Sequence, residues 1–256
     1  MINLRSLRRK IGRSLTRRGL LGTLKRCVVE PFYIMLEYKP SRLRWRSRDK
    51  EFDRRFGVDT AGTIPLSALD VEDANWEFGF AYEPTDPKFF KAIVGELPIQ
   101  FEEFTFVDVG SGKGRVLLLA AEFPFRKILG VEISKRLQEI SEENLRNYRN
   151  TVASLRCRNV QTVCADAARF QIPNDPCVLY LFNPFQEEIM SKVLANIQQS
   201  LQESPRGIYI VYRTPLLASL LDSANFLEKI RTEHGYAVYT NVNSSAYLGK
   251  ALTNPV

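Results

Sequence analysis

The stretch that most limits what this chain can become runs from residue 104 to residue 134. Residues 104–109, Phe-Thr-Phe-Val-Asp-Val, are a short apolar run of the kind that forms a strand buried on both faces of a parallel sheet. The run carries one acid, Asp108, and passes into a turn with glycine at every second position, Gly110-Ser111-Gly112-Lys113-Gly114. Residues 115–123 follow with helix formers and no breaker, and residues 127–133 form a second apolar strand carrying Glu132 near its end. Strand, glycine turn, helix and acid-tipped strand make one βαβ unit with a nucleoside-sized site at its mouth.

Each residue type has a physical job there. Gly110 and Gly112 tolerate positive φ and carry no Cβ, so a ligand can lie directly on the backbone. Gly114 lets the helix begin close against the strand, with its first N–H groups free for the ligand. Glu132 is placed to accept both hydroxyls of a ribose, and Asp108 suits a cationic ligand better than a phosphate. A dinucleotide site calls for Gly-x-Gly-x-x-Gly with a pyrophosphate on the helix dipole. Here the pattern is Asp-x-Gly-x-Gly-x-Gly, and Arg115 stands where the third glycine would be. A turn that merely joins strand to helix is the simpler alternative.

The rest of the chain extends the same alternation. Residues 158–166 read as a strand ending in Asp166, residues 177–182 as a central strand running into Asn183-Pro184-Phe185, and residues 207–212 as a fifth strand. Helices are expected from Asp86 onward (with Thr85 or Asp86 as cap and Pro87 in the first turn), over 134–150, over 187–202 and over 216–221. Residues 226–231 and 236–240, around Gly235, read as a terminal β-hairpin. The fold class is α/β, doubly wound, so ligands belong at the carboxyl ends of the strands.

Charge divides the chain. Residues 1–50 hold 15 Lys and Arg against 3 Asp and Glu, whereas residues 51–256 hold 21 against 26. The basicity therefore belongs to an N-terminal extension, 1–50, and the remainder forms the α/β domain, 51–256. Leu4, Leu7, Ile11 and Leu15 share one face of a helix whose other faces carry arginine and lysine. Such a helix fits an anionic membrane surface, an organelle presequence, an acidic partner such as RNA, or leucines packed on the domain. No apolar run reaches the roughly 18 residues of a spanning helix, so the expected setting is cytoplasmic or peripheral at a membrane. The run Arg42-Leu43-Arg44-Trp45-Arg46-Ser47-Arg48 could stack a base, but arginine and tryptophan also suit a wet boundary, and nucleic acid is the less favoured partner. The four cysteines form no Cys-x-x-Cys pair and the one histidine is His234, so the sequence offers neither a zinc site nor a disulfide framework.

Residues 104–134 closely resemble motif I of the class I S-adenosylmethionine-dependent methyltransferases. That resemblance implies a seven-stranded, mostly parallel sheet with a C-terminal antiparallel hairpin, and S-adenosyl-L-methionine as cofactor. It implies that Asp108, Gly110, Ser111, Gly112 and Gly114 hold the methionine part and Glu132 the ribose. Asp166 and Ala167 match the position where the family bonds the adenine amine and lines its ring; otherwise Asp166 caps a short helix at 167–170. Asn183-Pro184-Phe185 resembles, one proline short, the (Asp/Asn)-Pro-Pro-(Tyr/Phe) motif of amino-group methyltransferases. There the Asn amide oxygen and a backbone carbonyl orient the amine beside the methyl donor, a catalytic and cofactor-adjacent role for Asn183, although Asn-Pro is also a common turn. Tyr82, in Phe78-Gly79-Phe80-Ala81-Tyr82-Glu83-Pro84-Thr85, resembles the segment that some seven-strand protein-lysine methyltransferases close over the cofactor, which implies a catalytic role in helping Asn183 hold the acceptor amine; otherwise it is a packing aromatic.

The implied activity is methyl transfer to an acceptor, with a protein lysine or other amine foremost and a small molecule or RNA behind it. Two other readings stay open. A nicotinamide-nucleotide oxidoreductase is opposed by the glycine spacing and by the lack of a Tyr-x-x-x-Lys pair. A non-catalytic module recruited to a membrane by residues 1–50 is opposed by the intact glycine loop.

Overall fold

The computed structural model describes residues 40–64, 81–233 and 235–241, with side chains from residue 47 onward. The amphipathic segment near the N-terminus, the aromatic run at 78–80 and His234 lie outside the described residues. Among the described residues no helix is long and apolar enough to cross a membrane.

Seven strands form one sheet: β1 (Thr105–Val109), β2 (Lys127–Glu132), β3 (Val160–Cys164), β4 (Cys177–Phe182), β5 (Ile208–Arg213), β6 (Glu228–Glu233) and β7 (Tyr236–Thr240). Their order is β3-β2-β1-β4-β5-β7-β6. The first five run parallel, and β7 lies antiparallel between β5 and β6. This is the expected doubly wound sheet with its terminal hairpin.

Alternation along the strands builds two cores. Phe106, Val178, Tyr180, Tyr209 and Val211 point into one, while Val107, Val109, Leu179, Leu181, Ile210 and Tyr212 point into the other. Among the described residues six α-helices accompany the sheet: α1 (Pro40–Phe56), α2 (Pro87–Gly95), α3 (Arg115–Ala120), α4 (Lys135–Thr151), α5 (Glu187–Glu203) and α6 (Ala218–Asp222). Asp86 caps α2, accepting from the Lys88 and Phe89 N–H groups at 2.8 and 3.0 Å.

Three expectations need correction. The helix read over 115–123 stops at Ala120, because Pro124 pushes the residue before it out of helical conformation. The short helix considered at 167–170 is a turn, in which Asp166 Oδ1 accepts the Ala168 N–H at 3.0 Å. The division drawn at residue 50 falls inside α1. That helix docks through Phe52 and Phe56, whose rings meet each other at 4.7 Å, and Phe56 meets the buried Tyr148 of α4 at 4.9 Å.

β1 is flanked by β2 on one side and β4 on the other, so the chain leaves it in two directions. The crevice between those connections opens at the carboxyl ends of the strands, where a doubly wound sheet binds its ligand.

Candidate active site

A cavity of about 410 Å³ occupies that crevice, within the range of small-molecule sites. Asp108, Gly110, Ser111, Gly112, Glu132, Asp166, Ala167, Asn183 and Tyr82, drawn from widely separated parts of the chain, all border it. Gly114 does not. A Cβ at Gly114 would overlap Ser141 of α4, so that glycine makes room for a helix rather than for a ligand.

The glycine loop is hydrogen-bonded to itself and to β2. The Gly110 and Ser111 N–H groups both donate to the Val131 carbonyl, at 2.8 and 3.0 Å, and Gly114 N–H donates to the Ser111 carbonyl at 2.8 Å. Gly112 N–H donates to Glu132 Oε2 at 2.8 Å. The loop's own donors at Gly110, Ser111, Gly112 and Gly114 are therefore already used, which leaves a pyrophosphate fewer of them than a dinucleotide loop offers. Gly112 sits at φ +54°, and a Cβ there would overlap the Tyr82 ring. The Tyr82 ring thus lies directly on the loop, and only glycine fits beneath it.

Glu132 is fixed from two sides, since Oε1 accepts the Ser134 N–H at 2.8 Å. Each oxygen keeps lone pairs for an outside donor, which is what two adjacent ribose hydroxyls require. Burial pushes its carboxyl above the usual range, against the pull of those backbone donors. Asp108 is buried as well, and no hydrogen-bond donor among the described residues reaches it. Burial, and then the Glu132 charge, hold its carboxyl well above the ordinary value. Two buried carboxylates facing one cavity would be relieved by a cation, and an anion would be repelled.

Asn183 follows β4 and borders the cavity with φ +40°, a left-handed conformation that asparagine adopts more readily than most residues other than glycine. The Tyr212 hydroxyl donates to its Oδ1 at 3.2 Å, and that hydroxyl in turn accepts the Leu217 N–H at 3.3 Å. Pro184 packs against Gly110, so the Asn-Pro-Phe turn and the glycine loop form one wall. Tyr82 is fixed through its hydroxyl. Its hydroxyl donates to the Thr60 carbonyl at 2.6 Å, and burial raises its pKa well above that of a free tyrosine. Bonded in this way it is a packing wall, not a group free to take a proton.

Two charged positions bordering the cavity escape the sequence reading. Arg115 is buried, with Nη1 3.2 Å from Asp49 and Nη2 3.3 Å from Asp53, its Nε donating to Thr60, and its Cζ 4.2 Å from the Phe52 ring centroid. It ties α1 to the edge of the cavity. The available signal was a lone charge opening the all-apolar run Arg-Val-Leu-Leu-Leu-Ala. Arg213, the last residue of β5, borders the cavity beside Asn183. Its signal was its place at the carboxyl end of an apolar strand, as for Glu132 on β2.

The family model for the histone methylation protein DOT1 matches residues 78–210. The chain belongs to that family. It is an S-adenosylmethionine-dependent methyltransferase. Its cavity fits the cofactor of the DOT1 family on three counts: a buried Asp108 carboxylate without a donor among the described residues, a fixed Glu132, and a loop open only to glycine. Solved structures similar to this DOT1-family chain include an RNA methyltransferase from Salinibacter ruber in complex with S-adenosyl-L-homocysteine (18% identity, 61% of this chain and 91% of that one, TM-score 0.40). Others are a SAM-dependent methyltransferase from Aquifex aeolicus (14%, 61% and 97%, 0.43) and the magnesium protoporphyrin IX methyltransferase of Synechocystis PCC 6803 with bound SAM (14%, 60% and 77%, 0.42). No curated protein matches the sequence.

Proposed function

We propose that the chain methylates an amine, with a protein lysine side chain as the acceptor of first choice. The observation that carries this reading is Asn183, which borders the cavity with its Oδ1 fixed by the Tyr212 hydroxyl. The description of the matching family as histone methylation proteins points the same way.

When bound, S-adenosylmethionine supplies a methyl group on a sulfonium leaving group. The protein's share is then proximity, orientation and exclusion of water. Asp108 would face the cationic methionine end and Glu132 the ribose hydroxyls, with Asp166 and Ala167 at the adenine. Gly110, Ser111 and Gly112 would form the floor, and Gly114 would support it from behind. Asn183 Oδ1, with one lone pair taken by Tyr212, keeps the other for an acceptor N–H, and the Phe182 or Pro184 carbonyl would take the second. The amine must arrive neutral, and the ammonium it becomes releases its proton to water.

The catalytic unit on this reading includes α1, because Arg115 binds Asp49 and Asp53. The basic segment before it would serve as a peripheral anchor on anionic membrane, a proposal resting on its charge alone.

The test is radiolabelled methyl transfer from S-adenosylmethionine to lysine-containing proteins and peptides. Asn183→Ala should lower kcat by about a hundredfold, as misplacement of a reacting group does, and leave S-adenosylhomocysteine affinity within a few-fold. Unchanged turnover in that variant would remove Asn183 from the mechanism.

A further inference from the structure

Among the described residues the cavity lining carries four acids, Glu83, Asp108, Glu132 and Asp166, and two arginines, Arg115 and Arg213. Phe182 and Arg213 are register partners on β4 and β5, and both side chains leave the sheet on the same face. The Arg213 Cζ lies 3.8 Å from the Phe182 ring centroid and 4.8 Å from that of Phe89 on α2. Tyr180, whose buried hydroxyl pairs with Thr85 Oγ1 at 3.4 Å, closes the back of this nest. Two aromatic rings and a buried tyrosine hold the guanidinium in place, and what remains of it is its N–H edge.

The Tyr180 hydroxyl takes part of that edge, and no counter-charge among the described residues meets it. No carboxylate among the described residues forms an ion pair with Arg213. Its Nη1 is buried and has no acceptor among them, although the rest of the side chain borders the cavity. Arg115, the other arginine bordering the cavity, is already bound by two aspartates. A guanidinium that borders a cavity and has no counter-charge among the described residues favours an anionic partner. A planar fork fixed between rings is suited to one partner above others, a carboxylate taken edge-on through two parallel hydrogen bonds.

We propose that Arg213 is a specificity residue that binds a carboxylate on the methyl acceptor. The acceptor therefore carries an acid close to its nucleophile, either as a neighbouring acidic side chain in a peptide or as the α-carboxylate of an amino-acid-like small molecule. This rests on the cavity being the methyl-donor and acceptor site. It narrows the substrate class, since a lysine set among other basic residues would bring only like charge to Arg213.

The test is equilibrium binding by the full chain saturated with S-adenosylhomocysteine. The probes are Nα-acetyl-lysine, its carboxamide, and the peptide pair acetyl-Lys-Glu-amide and acetyl-Lys-Gln-amide. A charge-assisted bond implies that at least one acid is bound roughly tenfold or more tightly than its amide. Preference within the first pair assigns a free α-carboxylate, and preference within the second assigns an acidic side chain. In Arg213→Gln the preference should vanish while S-adenosylhomocysteine still binds, and Arg213→Lys should restore part of it. Equal binding of acid and amide, no binding of any acid into the tens of millimolar, or a preference that survives in Arg213→Gln would overturn the proposal. Loss of S-adenosylhomocysteine binding by the wild-type chain would instead overturn the reading of the cavity itself.

Discussion

The Gly112 N–H donates to Glu132 Oε2 at 2.8 Å, binding the middle of the glycine loop to the acid at the tip of β2. One bond does two jobs. It fixes the carboxylate in the orientation a ribose needs, and it withdraws the loop donor that a phosphate would need. Replacing Glu132 by alanine should weaken S-adenosylhomocysteine by about a hundredfold or more, given two lost hydrogen bonds to a charged group. Calorimetric titration measures this directly, and a change below tenfold would separate Glu132 from the cofactor.

Asp108 carries a sign that can be worked out. Its folded-state carboxyl titrates above its unfolded value, so the folded protein holds the proton more tightly. Ionisation of Asp108 thus costs stability as pH rises from the ordinary aspartate range through the raised value. Asp108→Asn should raise the melting temperature of the ligand-free protein by a few degrees at neutral pH, on the order of 1 kcal/mol. The same variant should lose S-adenosylmethionine. Affinity of the wild-type chain for the cationic cofactor should fall as pH drops through the raised value, and affinity for neutral-sulfur S-adenosylhomocysteine should fall less. Melting curves and titrations across pH check both.

Gly112 and Tyr82 should be coupled. Gly112→Ala forces a Cβ into the Tyr82 ring at a φ of +54°. Removing the ring with Tyr82→Ala opens that space, so the double variant should be less destabilised than the sum of the singles by about 1 kcal/mol or more. A purely additive cycle would mean that the ring does not pack on the loop.

Arg115 is the test of α1. With its guanidinium gone, Asp49 and Asp53 remain as largely buried carboxylates without their cation. Arg115→Ala should destabilise the fold by about 3–5 kcal/mol, measured by denaturant unfolding. A loss under 1 kcal/mol would show that α1 is held by its phenylalanines alone.

The strands were legible because buried parallel strands are continuous apolar runs, and Cys177–Phe182 was read to the residue. The site's acids were legible because Asp108, Glu132 and Asp166 each stand at or near the end of such a run. What stayed hidden was set by tertiary contact. The sequence of α1 shows a basic run and no apolar stripe, since it docks through Phe52, Phe56 and two aspartates that meet Arg115 from 62 and 66 positions away. The glycine-loop donors looked free because local spacing does not reveal that β2 takes them. Tyr82 looked available to the acceptor because Thr60, its hydrogen-bond partner, lies 22 positions back in the chain.

The most direct measurement is calorimetric titration of the full chain with S-adenosylhomocysteine and, separately, with NADH. Saturable binding of S-adenosylhomocysteine, lost in Glu132→Ala and absent for NADH, is the predicted result. Binding of NADH alone, or of neither ligand, would contradict the assignment of this cavity to the methyl donor.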